Sequence, residues 1–305
     1  MTNEEKIKQF VEQTENSNSK TETIKAEPLI KGKVLGNEPV SDVLGYLEIP
    51  VTDLPTKGIF YPEETRILIR AATAGEIRHW STMNQDNISN VYDHLNYIIE
   101  KCVFFKLPDG TGSWKMIKEA DRMYLLFAIR DFTFVEGDNE LKMKITESKE
   151  ITIHKDNIEF INIPEKLMKY YDENERCFIF KFKTGRIIKI YFPSIGVSSW
   201  LKNYMEKKDA LKEGYDRDFI QFAPMLIPDS YKLSNKSYED FVISCADWGV
   251  KEASLIAEVY DTMLENSTPK ITFINEAGAE ETAPLTFSDG FKVIFTVSNI
   301  FDGLL

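Results

Sequence analysis

The sequence predicts an α+β chain: a helical body with a central antiparallel β region and a small C-terminal hairpin. Three observations carry this. Apolar residues Ile88, Val91, Tyr92, Leu95, Ile98, Ile99, Cys102 and Val103 recur at steps of three and four, the stripe of a helix with one buried face. From Phe132 to Phe192 the period drops to two in successive short segments. Helical spacing returns at Val197, and alternation resumes from Lys270 around the turn at Ala277-Gly278.

Residues 1–45 hold one short helical candidate, Glu4 to Glu12, and then become rich in Glu, Lys, Thr, Ser and Asn. Such a composition buries too little apolar surface to offset ordering entropy, which predicts a flexible arm. Residues 46–135 are expected to form a docking segment, a strand and a helical core. The segment is Leu54-Pro-Thr-Lys-Gly-Ile-Phe-Tyr-Pro62. Pro55 and Pro62 fix two φ angles, Gly58 permits a positive φ, and Ile59, Phe60 and Tyr61 form an apolar knot between them. It leads into an alternating strand, Thr65 to Arg70, and a helix opened by Thr73-Ala-Gly-Glu76.

The helix from Asp86 to Val103 stops at Leu107-Pro-Asp-Gly110, with His94 expected on its polar side. The run Met123 to Ile129 is apolar all round, so that helix belongs in the core, bracketed by Asp121, Arg122, Arg130 and Asp131.

From Phe132 and on through the β region, 136–193, the expected strands are Phe132 to Phe134, Leu141 to Ile145, Ile151 to Ile153, Ile158 to Ile163, Cys177 to Phe182 and Ile187 to Phe192. Gly137-Asp-Asn139 and Lys183-Thr-Gly185 supply turns, and Pro164 to Tyr171 a short helix. Residues 194–305 are expected to be helical, with a C-terminal hairpin and an apolar tail. Asp247 is a candidate cap for the helix that succeeds it. Ile300, Phe301, Leu304 and Leu305 need a surface to cover them, either within the chain or on a partner.

Net charge is −12, from 37 basic and 49 acidic side chains, which argues against a dedicated nucleic-acid binder. No charged-then-apolar leader and no apolar run of about 18 residues is present, so a cytoplasmic, membrane-free protein is expected. The three cysteines, Cys102, Cys177 and Cys245, are far apart and read as buried small hydrophobes. His79, His94 and His154 stand outside metal-ligand spacing. Serine-hydrolase, phosphate-loop and dinucleotide motifs are missing, leaving only the acidic clusters Glu63-Glu64, Asp172 to Glu175 and Asp216-x-Asp218. No cofactor, metal or enzymatic activity is expected.

Three blocks in order carry a resemblance: Leu54 to Pro62, then Asp93 to Val103, then Ala120 to Phe134. Together they resemble the baseplate hub assembly proteins of T-even-like contractile-tailed bacteriophages over roughly residues 46–200. The resemblance implies a non-enzymatic baseplate protein that works through protein contacts. Its partners would be other hub proteins and the tail tube or tape-measure protein, in the host cytoplasm during assembly and in the virion baseplate if retained. A transient chaperone for a tail protein is the alternative, and a tail-tip cell-wall hydrolase a remote one. Relatives in that family carry a Cys-x-x-Cys element after the third block, whereas Lys142 to Ile153 holds no cysteine, so hydrophobic packing must hold that region here. The partner-binding residues expected on this reading are Pro55, Gly58, Phe60, Tyr61 and Pro62 at one end, and Ile300, Phe301, Leu304 and Leu305 at the other. For Phe60 and Tyr61 the competing expectation is ordinary core packing.

Overall fold

The structure, a computed structural model, describes residues 45–134, 141–144, 150–153, 158–160, 163–267, 269–275, 277–287 and 290–295. The expected arm, the turn at 137–139, His154 and the apolar tail with Ile300, Phe301, Leu304 and Leu305 lie outside them.

Among the described residues the chain is an α+β mixture. Its helices are α1 (Ala74–Ser81), α2 (Ile88–Cys102), α3 (Glu119–Thr133), α4 (Glu165–Met168), α5 (Ile195–Leu211), α6 (Arg217–Leu226), α7 (Asn235–Cys245) and α8 (Val250–Ser267). The strands are β1 (Leu47–Ile49), β2 (Arg66–Ile69), β3 (Val103–Lys106), β4 (Lys142–Lys144), β5 (Glu150–Thr152), β6 (Ile158–Glu159), β7 (Tyr171–Asp172), β8 (Cys177–Lys181), β9 (Ile187–Ile190), β10 (Lys270–Ile274) and β11 (Glu280–Pro284).

These strands form four small antiparallel sheets, ordered β1-β2-β3, β4-β5, β7-β8-β9 and β11-β10-β6. The C-terminal hairpin therefore does not stand alone. Lys270 and Ile271 pair with Glu159 and Ile158, tying it to the middle of the chain.

Two segments depart from the expected pattern for a physical reason. Phe132 and Thr133 are the last turn of α3, where the Thr133 hydroxyl donates back to the Ile129 carbonyl. At the other boundary, Val103 leaves the helix and opens β3, whose Val-Phe-Phe-Lys alternation is buried, exposed, buried, exposed. Two β-branched or aromatic residues in succession suit a pleated surface better than another helical turn.

The entry to α1 is as the sequence implies. Thr73 caps the helix in a reciprocal box with Glu76, and Glu76 also holds Arg70 at 2.6 Å. The Arg70 hydrogen bond keeps the Glu76 carboxyl down at about 2. Asp247 does not cap α8. It accepts from Arg186 at 3.0 Å, and the helix begins three residues later.

Two apolar cores flank the segment from Leu54 to Pro62. The first joins β1–β3 to α2 and α3 through residues such as Ile67, Ile98, Leu125 and Trp80. The second packs β8 and β9 against α6 and α8 through Phe178, Ile190, Leu226 and Val259. Residues from all three ordered stretches of the sequence meet in this second core, so the stretches do not fold as separate cores.

Candidate functional site

The segment from Leu54 to Pro62 runs between these two cores. Leu54 and Tyr61 belong to the first and Phe60 to the second. Successive side chains thus point into different interiors, which a compact series of turns between two prolines allows. Lys57 and Gly58 both have positive φ, at 55° and 75°. A Cβ on Gly58 would stand 2.9 Å from Val51 Cγ2. Gly58→Ala should therefore cost about 1–2 kcal/mol, read as a lower urea midpoint with an unchanged slope.

At the centre lies Asp121, in the first turn of α3 and fully buried. Its carboxylate accepts from the Thr56 N–H at 2.9 Å, the Thr56 hydroxyl at 2.8 Å and the Tyr61 hydroxyl at 2.6 Å. The Tyr61 oxygen in turn accepts the Lys118 N–H at 2.8 Å, just before the helix starts. Lys118 reaches the other way with its side chain, to Asp229 at 2.5 Å. The segment is thereby locked onto the opening of α3 through four buried hydrogen bonds. Burial pushes the Asp121 carboxyl up to about 6, against the pull of its three donors, and raises the Tyr61 hydroxyl well above its ordinary value.

This cluster pairs a carboxylic acid with a phenol, but it is closed to solvent. Chemically it is a fastening, since a substrate has no access to a carboxylate with no exposed surface.

Phe60 and Tyr61 must accordingly be reassigned. Phe60 is 3% exposed and Tyr61 4%, so neither presents a docking surface. Phe60 packs its ring at 4.9 Å from Phe192, 5.6 Å from Tyr171 and 5.7 Å from Phe178. The Tyr171 hydroxyl also donates to the Ile59 carbonyl. Pro55, Gly58 and Pro62 are half-buried at the turns themselves. The reason is simple: two large aromatic rings beside a strand gain more from two nearby cores than from water.

Other candidates find local roles. His94 is buried rather than on the polar side, with Nδ1 2.8 Å from the Asn90 carbonyl and its ring stacked on His79 at 4.7 Å. Burial beside His94 lowers the His79 pKa. Of the acidic clusters, Asp216 caps α6 through the Phe219 N–H, Asp172 caps a turn through Asn174 and Glu175, and Glu63 and Glu64 are exposed. The three cysteines are free and buried, as expected, and burial raises the Cys102 thiol to about 12 and that of Cys177 to about 11. Among the described residues no group of three or more His, Cys, Asp or Glu side chains could hold a metal, and no helix is long and apolar enough to cross a membrane.

Asp121 was visible in the sequence only as a charge bracketing an apolar helix. A carboxylate two residues ahead of an all-apolar run was the available signal, but its partners lie 60 and 65 positions away.

No protein-family model, curated protein or solved structure matches this chain.

Proposed function

We propose that the chain is a non-enzymatic protein of a contractile phage tail baseplate, acting in hub assembly through protein–protein contacts. The observation that carries this reading is the ordered set of three sequence blocks. In the fold these blocks meet: Thr56 and Tyr61 of the first fasten to Asp121 of the third, and Asn96 of the second accepts from Arg122 of the third at 3.2 Å. What resembles the hub proteins is thus one connected framework rather than three scattered phrases. Its partners on this reading are other hub proteins and the tail tube or tape-measure protein. It acts in the host cytoplasm during assembly and in the baseplate if retained.

A transient chaperone is the second reading, favoured by the net charge of −12, which suits masking a basic partner. Quantitative proteomics of purified particles and of assembly intermediates separates the two. Stoichiometric presence in mature virions supports the structural role. Presence only in intermediates supports the chaperone, and absence from both rejects the phage reading.

With Phe60 and Tyr61 in the interior, partner contacts must use other groups. Ile243 on α7 and Val250 at the start of α8 are 70% and 84% exposed. Ile243→Asp with Val250→Asp should change stability by less than about 1 kcal/mol while reducing co-sedimentation with baseplate intermediates. Unchanged co-sedimentation would clear this surface of the role.

A further inference from the structure

A cleft of about 480 Å³ lies between α2, α3, α6 and α8, where the two cores come together. Its walls are apolar, with Leu95, Met123, Met225 and Tyr260 among them, and two of its residues, Ile88 and Tyr92, are exposed to solvent at 65% and 39%. The charged residues of the wall, Glu119 and Arg122, serve each other. Arg122 Nη1 lies 3.8 Å from Glu119 Oε1 and donates to Asn96 Oδ1 at 3.2 Å, while the guanidinium sits 4.7 Å over the Tyr92 ring. An occupant of this cleft needs no charge of its own; it needs apolar surface.

The chain carries a segment of that kind. Val297, Ile300, Phe301, Leu304 and Leu305 recur at steps of three and four, one apolar stripe with Ser298, Asn299, Asp302 and Gly303 off it. Nine residues at the helical rise span about 13 Å. The residues just before the stripe already stand at the cleft. Phe291, which opens the short 3₁₀ helix Phe291–Phe295, is part of the wall. Lys292 is held beside the start of α2, where its N–H donates to Gln85 Oε1 at 3.0 Å and its carbonyl accepts from Trp80 Nε1 at 3.1 Å. Six positions separate Phe291 from Val297, a reach of about 20 Å when extended, so the stripe can turn back onto the walls that Phe291 touches.

We propose that residues 297–305 dock in this cleft as an internal strap, with the apolar stripe against Ile88, Tyr92 and the methionines and Asp302 toward water. An amphipathic segment laid in an apolar groove buries both surfaces at once. Unbranched methionine side chains adapt to a stripe of mixed Ile, Phe and Leu. While the strap is docked, the cleft is closed to any other apolar ligand. This docking needs only the cleft and the segment, and it stands apart from the baseplate reading.

The test uses the full chain. Tyr92→Cys with Leu304→Cys should form an intramolecular disulfide on mild oxidation in dilute solution, read as a linked 92–304 peptide pair from the monomer. Phe104→Cys with Leu304→Cys is the control, because Phe104 is 56% exposed on β3, beyond the far end of α2, and should stay unlinked. Ile300→Asp with Leu304→Asp should release the strap, so that the neutral dye N-phenyl-1-naphthylamine binds about tenfold or more tighter than to wild type. Ile88→Asp added to that pair should remove the gain. Circular dichroism and the urea midpoint establish that these variants are folded, and where one is not, the disulfide pair decides. Equal dye binding by wild type and the strap variant, a gain that survives Ile88→Asp, linkage from position 104 as readily as from 92, or disulfides formed only between two copies would overturn the proposal.

Discussion

Phe60→Ala is expected to lower the stability of the folded chain by about 3–5 kcal/mol, the range for deleting a buried aromatic ring from a packed core. The ring is 3% exposed and packs against the rings of Phe178, Phe192 and Tyr171. Its removal leaves a cavity that the β8-β9 sheet cannot close, because β8 is hydrogen-bonded to strands on both sides. Urea denaturation of the purified variant measures the loss. Phe104→Ala is the matched control, since that ring is 56% exposed on β3 and its loss should cost far less. If Phe60→Ala kept wild-type stability and lost only a binding partner, the interior assignment would be wrong.

The second large effect belongs to Asp121, and its sign is set by the raised pKa. Burial lifts the folded-state carboxyl from 3.8 to about 6, so the folded chain binds this proton more tightly than the unfolded chain does. The resulting stabilisation is full below pH about 4 and is lost as pH rises to about 6, amounting to about 3 kcal/mol across that window. Glu76 has the opposite sign. Its carboxyl is held at about 2, so its contribution is present above about 4.5 and falls away only in stronger acid. The clean measurement is therefore the difference between wild type and Asp121→Asn in unfolding free energy from pH 4 to pH 7. The amide stands in for the protonated carboxyl, so the variant should come nearest to wild type at pH 4 and gain on it as pH rises towards 7. A constant gap would mean that Asp121 does not titrate in this range. Asp121→Leu should be worse at every pH, stranding the Thr56 N–H and both hydroxyls at a cost of about 1–3 kcal/mol for each unmet group.

Much of the fold was legible because it depends on local periodicity. The stripe from Ile88 to Cys102, the all-apolar run in α3, the capping box at Thr73 and the turn before Gly185 each involve residues a few positions apart. Departures fall where local signals conflict. Phe132-Thr-Phe134 has strand composition, yet the helix before it extends its hydrogen-bond ladder through Thr133, since adding a turn to a formed helix is easier than starting a new element. His94 looked polar on its helix, but α1 brings Thr82 and His79 over it and buries the ring.

The candidate site was legible only in part. Sequence alone established that Leu54 to Pro62 is a rigid turn, since Pro55, Gly58 and Pro62 restrict the backbone wherever they occur. It also established the α+β composition and the acidic surface, both properties of residue content. Whether Phe60 and Tyr61 face water or the interior depends on what stands opposite them, and that is set by residues 60 to 132 positions away, among them Asp121, Phe178 and Phe192. The same holds for Arg122, an ordinary helix residue in the sequence. Its Nε is left buried without an acceptor by the way α2 and α3 pack side by side. Backbone restriction is local and survives in the unfolded chain, whereas burial and hydrogen-bond satisfaction are properties of the packed whole.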